Sequence, residues 1–240
     1  EQAYELARRH GFPLVTGPVS KTAIAHSGLR RSTGFRGHTE WLEKLDGASH
    51  SVMCFASSRL VTSLVTTHVP IRKVPQVVRP ALVTRATLEL IDLLLRLGVR
   101  NPRVAVASLN PHAGEESLLG GEEKTAIFPG IARAIQIARK KAAIVGPIGA
   151  ETAYRKAATG VFDGVVAMYH DQATIPMKLL DFGGAVNVTQ GLSIVRTSVD
   201  HGTAYDIAGS GKADARGMRE AMNLASRLGA SSRKMMHGSW

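Results

Sequence analysis

The chain has 240 residues, 44% hydrophobic and 20% charged, with 30 basic side chains against 19 acidic ones and a formal net charge of +11. That balance excludes a disordered chain and leaves enough apolar sequence for a substantial core. The basic residues fall in small clusters (Leu29-Arg-Arg31, Ala138-Arg-Lys-Lys141, Ser232-Arg-Lys234) without interleaved aromatics, so no base-stacking platform for nucleic acid is visible. The positive field suits smaller anions, such as a phosphorylated substrate or a dinucleotide. The longest apolar stretch, Leu88 to Leu97, is interrupted by Glu89, Asp92 and Arg96 and is too short and too charged to span a bilayer. A polar, helix-like start rather than a signal peptide, and a single cysteine (Cys54) in an apolar run, point to a soluble, cytoplasmic protein with a buried reduced thiol.

In chain order, residues Glu1 to His10 read as a helix ending at Gly11, followed by a short strand Pro13 to Thr16. Strands are expected at Val52 to Ala56 and Leu60 to Thr67, from their β-branched and apolar content. Pro80 to Leu97 is a helix stopped by Gly98, and Val104 to Ser108 a compact buried strand. Glu122 to Lys141 reads as a long helix that Pro129 and Gly130 should kink or divide. Next come a strand at Ala142 to Val145, a helix at Thr152 to Ala158 and a strand at Gly164 to Met168. Val186, Val188 and the run Ser193 to Thr197 suggest shorter strands, and Arg216 to Leu228 a last helix before a frayed basic tail. Alternating strands and helices argue for an α/β protein with a mostly parallel sheet and crossover helices. No Gly-x-Gly-x-x-Gly follows a strand, so a dinucleotide would bind outside the Rossmann scheme. No repeat or linker divides the chain, which reads as one region with no internal boundary assigned.

Three histidines sit where an expected strand runs into a loop: Thr-Thr-His68-Val-Pro, Leu-Asn-Pro-His112-Ala-Gly-Glu and Ala-Met-Tyr-His170-Asp-Gln. Parallel α/β sheets bind ligands beyond the carboxyl ends of their strands, and imidazole is the commonest metal ligand. Any one of them alone reads as an ordinary loop histidine. Three together point to one divalent-metal centre with open positions for substrate. Asp171 and Gln172 follow the third histidine, and Lys178, Asn187 and Arg196 are polar points between apolar stretches. A lysine and an arginine beside a metal would suit a phosphate or carboxylate. Gly37-His-Thr-Glu40 lies at an expected helix start, with Thr39 as a plausible cap for the segment beginning at Trp41.

Six motifs occur in order: Thr16-Gly-Pro-Val-Ser-Lys21, Gly37-His-Thr-Glu40, Thr66-Thr-His68, Asn110-Pro-His-Ala-Gly-Glu115, Met168-Tyr-His-Asp-Gln172 and Arg196-Thr-Ser-Val-Asp-His-Gly-Thr-Ala204. From about Leu14 to Leu228 the sequence resembles the 4-hydroxythreonine-4-phosphate dehydrogenase family of vitamin B6 biosynthesis. The resemblance implies a two-lobed α/β fold like isocitrate and isopropylmalate dehydrogenases, with a cleft between the lobes, acting as a homodimer. It implies His68, His112 and His170 as ligands of a divalent metal (Zn, Mg or Co), with His170 serving the metal of the partner subunit. His38, Thr39, Lys178, Asn187 and Arg196 match positions that hold substrate phosphate, hydroxyl and carboxylate. Glu151 falls where the family commonly has aspartate, and with Lys178 is the implied catalytic pair. His201, Gly202, Thr203, Ala204 and Asp206 resemble the nucleotide loop that would bind NAD or NADP.

The implied reaction is oxidation of a small phosphorylated alcohol by hydride transfer, followed by decarboxylation. A four-carbon sugar-acid phosphate, an aromatic cis-dihydrodiol, or a catalytically impaired metal-binding remnant stand as alternatives. The family's chains carry a further N-terminal segment with a Gly-Asp-Pro-x-Gly-Ile-Gly-Pro-Glu motif that this sequence lacks, and Leu29 to Arg36 is longer and more basic than the family's turn. The strand Pro13 to Thr16 is therefore expected at a sheet edge.

Overall fold

The structure of the chain, a computed structural model, describes residues 1–29, 32, 35 and 37–237, with side chains as far as residue 231. Most of the basic turn between Leu29 and Arg36, and the side chains of the Ser232 to Lys234 cluster, lie outside the described residues. The chain divides into two compact units, Glu1–Ser51 with Gly183–Trp240, and Val52–Phe182. The second is thus one continuous insertion in the first.

Unit 1 opens with α1 (Gln2–His10), β1 (Leu14–Thr16), α2 (Lys21–Ala25) and α3 (His38–Asp46). Unit 2 follows with β2 (Val52–Ala56), β3 (Val61–Leu64), α4 (Val74–Val77), α5 (Pro80–Arg96) and β4 (Arg103–Ala107). It continues through α6 (Phe128–Ala138), β5 (Ala143–Ile148), α7 (Ala150–Ala158), β6 (Gly164–Ala167) and α8 (His170–Leu180). The chain then returns to unit 1 with β7 (Val186–Gln190), β8 (Arg196–Val199) and α9 (Arg216–His237).

The strands of unit 2 lie in the order β2-β3-β6-β4-β5. β3, β6, β4 and β5 are mutually parallel, while β2 joins β3 antiparallel. β3 and β6 are buried at every position and β4 at all but Arg103, the burial that a parallel strand covered on both faces requires. The apolar stripe of α5 (Val83, Ala86, Leu90, Leu93, Leu94) is buried, while Asp92 faces solvent, so the charges that interrupt the run are those of an amphipathic helix. α6 approaches α5 at Gly130, where a Cβ would come within 2.6 Å of Val83 Cβ and 2.8 Å of the Pro80 carbonyl oxygen. Thr84 donates its hydroxyl to the Gly130 carbonyl at 2.9 Å across the same contact.

In unit 1, β1 runs parallel to β8, with Leu14 opposite Arg196, and β7 pairs antiparallel with β8. Among the described residues β1 pairs with β8 alone, so it is the edge strand the sequence predicts. Tyr4, Ala7, Leu42 and Ile194 form its buried cluster. Asp46, at the end of α3, ties that cluster together. It accepts the Tyr4 hydroxyl at 2.7 Å and the Ser193 backbone N–H at 3.0 Å, and contacts the Ser193 hydroxyl. Burial alone would raise the Asp46 pKa, but the hydrogen bonds from Ser193 and Tyr4 outweigh it and hold the carboxyl below its ordinary 3.8. A depressed folded-state pKa contributes stability above the unfolded value and loses it as pH falls through the folded value. Asp46→Asn is therefore expected to cost about 1–2 kcal/mol at pH 7, with the difference from wild type shrinking at pH 3 and below. Urea unfolding at both pH values checks this.

Several elements differ from the sequence reading, while the expected helix from Glu122 divides beside Pro129 and Gly130 as that reading has it, into a π-helical turn at Glu123–Ile127 and α6. β8 begins at Arg196 and runs to Val199, three residues later than the apolar run beginning at Ser193 suggests. α3 starts at His38 with Gly37 as its cap, the Gly37 carbonyl accepting from Trp41 N–H at 3.1 Å, so Thr39 lies inside the helix. α9 extends to His237 instead of ending near Leu228. α8 was not anticipated, because Pro176 inside it reads as a breaker.

Candidate metal centre and anion site

β3, β6 and β4 are adjacent and parallel, so their carboxyl ends lie at one edge of the sheet, and each leads to one of the three histidines. Thr66 fixes the first two. Its backbone N–H and its hydroxyl both donate to the Met168 carbonyl, at 3.2 and 2.7 Å. His68 lies two residues past Thr66 and His170 two past Met168, and their rings come to 5.8 Å between centroids.

The third strand end is joined to the second by Gln172. Its Oε1 accepts from Met168 N–H at 2.7 Å and its Nε2 donates to the Ser108 carbonyl at 2.8 Å. His170 Nδ1 lies 2.7 Å from Asp171 Oδ1. A carboxylate accepts, so Nδ1 is the ring nitrogen that donates in this contact and Nε2 is the one turned away from it.

His112 sits on a loop of unusual backbone. His112, Ala113, Glu115 and Glu116 have φ of 52°, 55°, 42° and 55°, and Gly114 has 78°. Left-handed conformation costs roughly 1–2 kcal/mol per non-glycine residue, so neighbouring contacts must hold this loop. Its root is held by Glu123, which is only 7% exposed. Glu123 Oε1 accepts the backbone N–H groups of Leu109 and Asn110, each at 2.8 Å, and Oε2 accepts Asn110 Nδ2 at 2.9 Å. Among the described residues, no three His, Cys, Asp or Glu side chains are gathered closely enough to hold a metal ion. One chain thus brings His68 and His170 together and leaves His112 on the neighbouring strand end.

Unit 1 holds a buried cation. Arg196 opens β8 and is 3% exposed. Its guanidinium donates to Thr16 Oγ1 at 2.8 Å, Thr189 Oγ1 at 3.0 Å and, at the limit of reach, Asn187 Oδ1 at 3.5 Å, all neutral acceptors. Its Nε is buried with no hydrogen-bond partner among the described residues. Burial lowers its pKa to about 10, partly offset by Glu40, so the charge persists at neutral pH. His38, half-buried at the start of α3, has its pKa lowered by burial and then by Arg196. Both effects favour the neutral imidazole. A buried guanidinium satisfied only by hydroxyls and an amide is a ready partner for an anion.

The remaining predicted residues are more exposed. Glu151 lies on the exposed first turn of α7, where Arg155 Nε donates to it at 2.8 Å and Thr152 Oγ1 at 2.9 Å. The Arg155 hydrogen bond lowers its pKa. Lys178 is exposed on α8. Thr39 follows His38 on α3, half-buried. The segment after β8 carries His201, Gly202, Thr203, Ala204 and Asp206. His201 Nδ1 meets the Gly202 carbonyl at 3.0 Å, and Ala204 takes a left-handed conformation with φ 49°. Glu123 was missed from the sequence, because an acidic pair at a helix start looks like ordinary complementation of the helix dipole. Thr66 was quoted only as part of a motif, and its hydrogen bonds could not be read from it.

A parallel α/β core that carries histidines at its strand ends falls in the isocitrate dehydrogenase-like fold class. The likeness to isocitrate dehydrogenase from Methylococcus capsulatus is one of fold alone, with a TM-score of 0.52 at 14% identity, covering 97% of this chain and 73% of that one. The family model described as "Pyridoxal phosphate biosynthetic protein PdxA" matches residues 1–225, and the chain belongs to that family.

It is 48% identical over 215 residues to the 4-hydroxythreonine-4-phosphate dehydrogenase of Desulfosudis oleivorans, covering 88% of this chain and 61% of that protein. A Bradyrhizobium diazoefficiens protein provisionally named D-threonate 4-phosphate dehydrogenase is 43% identical over 229 residues, covering 90% of this chain and 64% of that protein. The crystal structure of 4-hydroxythreonine-4-phosphate dehydrogenase from Klebsiella pneumoniae superposes with a TM-score of 0.81 at 36% identity, covering 95% of this chain and 68% of that one. The chain therefore spans about three fifths of the length of these two relatives. No helix among the described residues is long and apolar enough to cross a membrane.

Proposed function

We propose that the chain is the histidine-bearing part of a metal-dependent, NAD- or NADP-linked dehydrogenase acting on 4-phosphohydroxy-L-threonine in pyridoxal phosphate synthesis. The observation that carries this reading is that three adjacent parallel strands deliver His68, His170 and His112 to one edge of the sheet. Family membership supplies the substrate class.

His68, His112 and His170 would hold the divalent ion, with Asp171 orienting the His170 ring. A bound ion supplies Lewis acidity at the alcohol oxygen, and a bound nicotinamide accepts the hydride. The residues of the chain bind and orient. Arg196, backed by Asn187, takes an anionic group of the substrate; His38 and Thr39 hydrogen-bond to it, and Lys178 adds a second positive charge. Glu151 and Lys178 move the proton that leaves the alcohol. The β-keto acid so formed loses carbon dioxide to give an amino-ketone phosphate. His201, Gly202, Thr203, Ala204 and Asp206 hold the nucleotide.

We further propose a homodimer that completes each metal site with a ligand from the second copy. Ile175, Leu179 and Phe182, on and just past the helix that begins at His170, are 58%, 81% and 77% exposed, an apolar row that a partner copy would cover.

The name of the Bradyrhizobium relative favours a second reading, D-threonate 4-phosphate, which differs in bearing a hydroxyl where the first substrate bears an amine. NADH or NADPH formation with each substrate and added divalent metal tests the proposal. A higher kcat/KM for 4-phosphohydroxy-L-threonine supports the first reading, and the reverse order supports the second. No turnover of either substrate by metal-loaded protein, beside an active full-length relative, would overturn both for this chain.

A further inference from the structure

Glu123 is an ionisable side chain buried in unit 2 that the proposed chemistry does not use. Its carboxylate sits at the centre of the loop that carries His112. Oε1 takes both backbone N–H groups at the loop's entry, Leu109 and Asn110, and Oε2 takes the Asn110 side chain. The loop then passes back over the same carboxylate at Gly114, where a Cβ would lie 2.7 Å from Glu123 Oε2 and 3.0 Å from the Gly120 carbonyl oxygen. Asn110 is closed from the far side by Gly120, where a Cβ would meet its Nδ2 at 2.3 Å, and it donates to Glu122 Oε2 at 2.8 Å. His112 lies between the two points so fixed, in the left-handed run that has no regular secondary structure to hold it. Glu123 is also the first residue of a π-helical turn, a local irregularity that is frequent at functional sites.

We propose that Glu123 is a positioning residue for His112: its buried carboxylate sets the left-handed loop so that the imidazole is presented for metal binding. The inference rests on the reading of His112 as a metal ligand. The charge matters as well as the shape. All three groups facing the carboxylate are N–H donors, so a glutamine would set its own amide N–H against at least one of them and leave that donor unpaired.

The test is a cobalt(II) titration of the full chain followed by visible absorption, with wild type, Glu123→Gln, Glu123→Asp, His112→Ala and the double variant Glu123→Gln/His112→Ala. Outer partners of metal ligands typically contribute about ten- to a hundredfold in affinity. Glu123→Gln is expected to weaken cobalt binding by that factor and shift its spectrum toward that of His112→Ala. The double variant should lose nothing further, because Glu123 acts through His112. Glu123→Asp keeps the charge but withdraws it by one methylene, and should fall between wild type and glutamine even if the glutamine variant fails to fold. Wild-type affinity and spectrum in Glu123→Asp or Glu123→Gln would overturn the inference, as would losses that add in the double variant. Wild-type cobalt binding by His112→Ala would instead overturn the histidine centre itself, which separates the two failures.

Discussion

Alanine at His68, His112 or His170 is expected to remove stoichiometric binding of a divalent ion, each replacement weakening it by on the order of a hundredfold or more. A complete zinc site of four ligands is worth about 10–16 kcal/mol, so one ligand of three accounts for roughly 3 kcal/mol or more. The fold should survive, because His68 and His112 are exposed and His170 is only half-buried at the start of its helix. His26, on the surface with Nδ1 3.0 Å from the Thr22 carbonyl, serves as the control, and its alanine variant should bind metal as wild type does. Equilibrium dialysis with metal analysis checks the stoichiometry. A sharper form mixes His68→Ala chains with His170→Ala chains. If each site draws His170 from the second copy, a mixed dimer keeps one intact site, and metal binding returns on mixing. If one chain supplies both ligands, mixing restores nothing, and the shared-site proposal fails.

Replacing Arg196 by methionine is expected to separate binding from stability. The guanidinium is buried, its Nε has no hydrogen-bond partner among the described residues, and its other donors reach hydroxyls and an amide. A buried charge whose hydrogen bonds go to neutral acceptors is costly in the free protein, and Glu40 offsets that cost only in part, so methionine of similar volume should leave stability unchanged or raise it. Substrate binding should suffer in the opposite sense. A charge-assisted contact is worth about 1.5–3 kcal/mol, which corresponds to a rise in KM of roughly ten- to a hundredfold. Lys178→Met, on an exposed helix face, should have the smaller effect of the two. An unchanged KM in Arg196→Met, or a large fall in melting temperature with binding retained, would make Arg196 a structural residue and not an anion receptor.

The elements legible in the sequence were those whose pattern is local. The unbroken apolar runs of β2, β4 and β6 and the stripe of α5 state their burial outright, and the structure places them within a few residues of expectation. Gly130 was noticed for the wrong reason. It reads as a helix breaker, yet it lies inside α6 and serves the close approach to α5. α8 was hidden by Pro176, which a helix tolerates when tertiary packing buries its other residues, here Ala173, Thr174 and Met177.

The candidate site was legible as residue types and not as supports. The three strand-end histidines stand out because each follows an apolar run and opens a turn. That their strands are neighbours follows from the order β3-β6-β4, which no local pattern encodes. Thr66, Gln172 and Glu123 act through hydrogen bonds to backbone 13 to 102 residues away in sequence or to strand ends that only the fold brings near, so their roles became visible only in three dimensions. The buried state of Arg196 was equally unreadable, since an arginine between apolar residues is as often a surface residue at a strand end.

The central claim, that His68, His112 and His170 bind one metal ion, is tested most directly by X-ray absorption spectroscopy at the zinc edge on the zinc-loaded protein. The account predicts one tightly bound ion per chain, with three imidazole nitrogens at about 2.0–2.1 Å and the rest of the shell made of oxygen ligands. Loss of one imidazole from that shell is expected in each single-histidine variant that still binds zinc. A wild-type spectrum without imidazole scattering, or one that stays the same in all three variants, would contradict it.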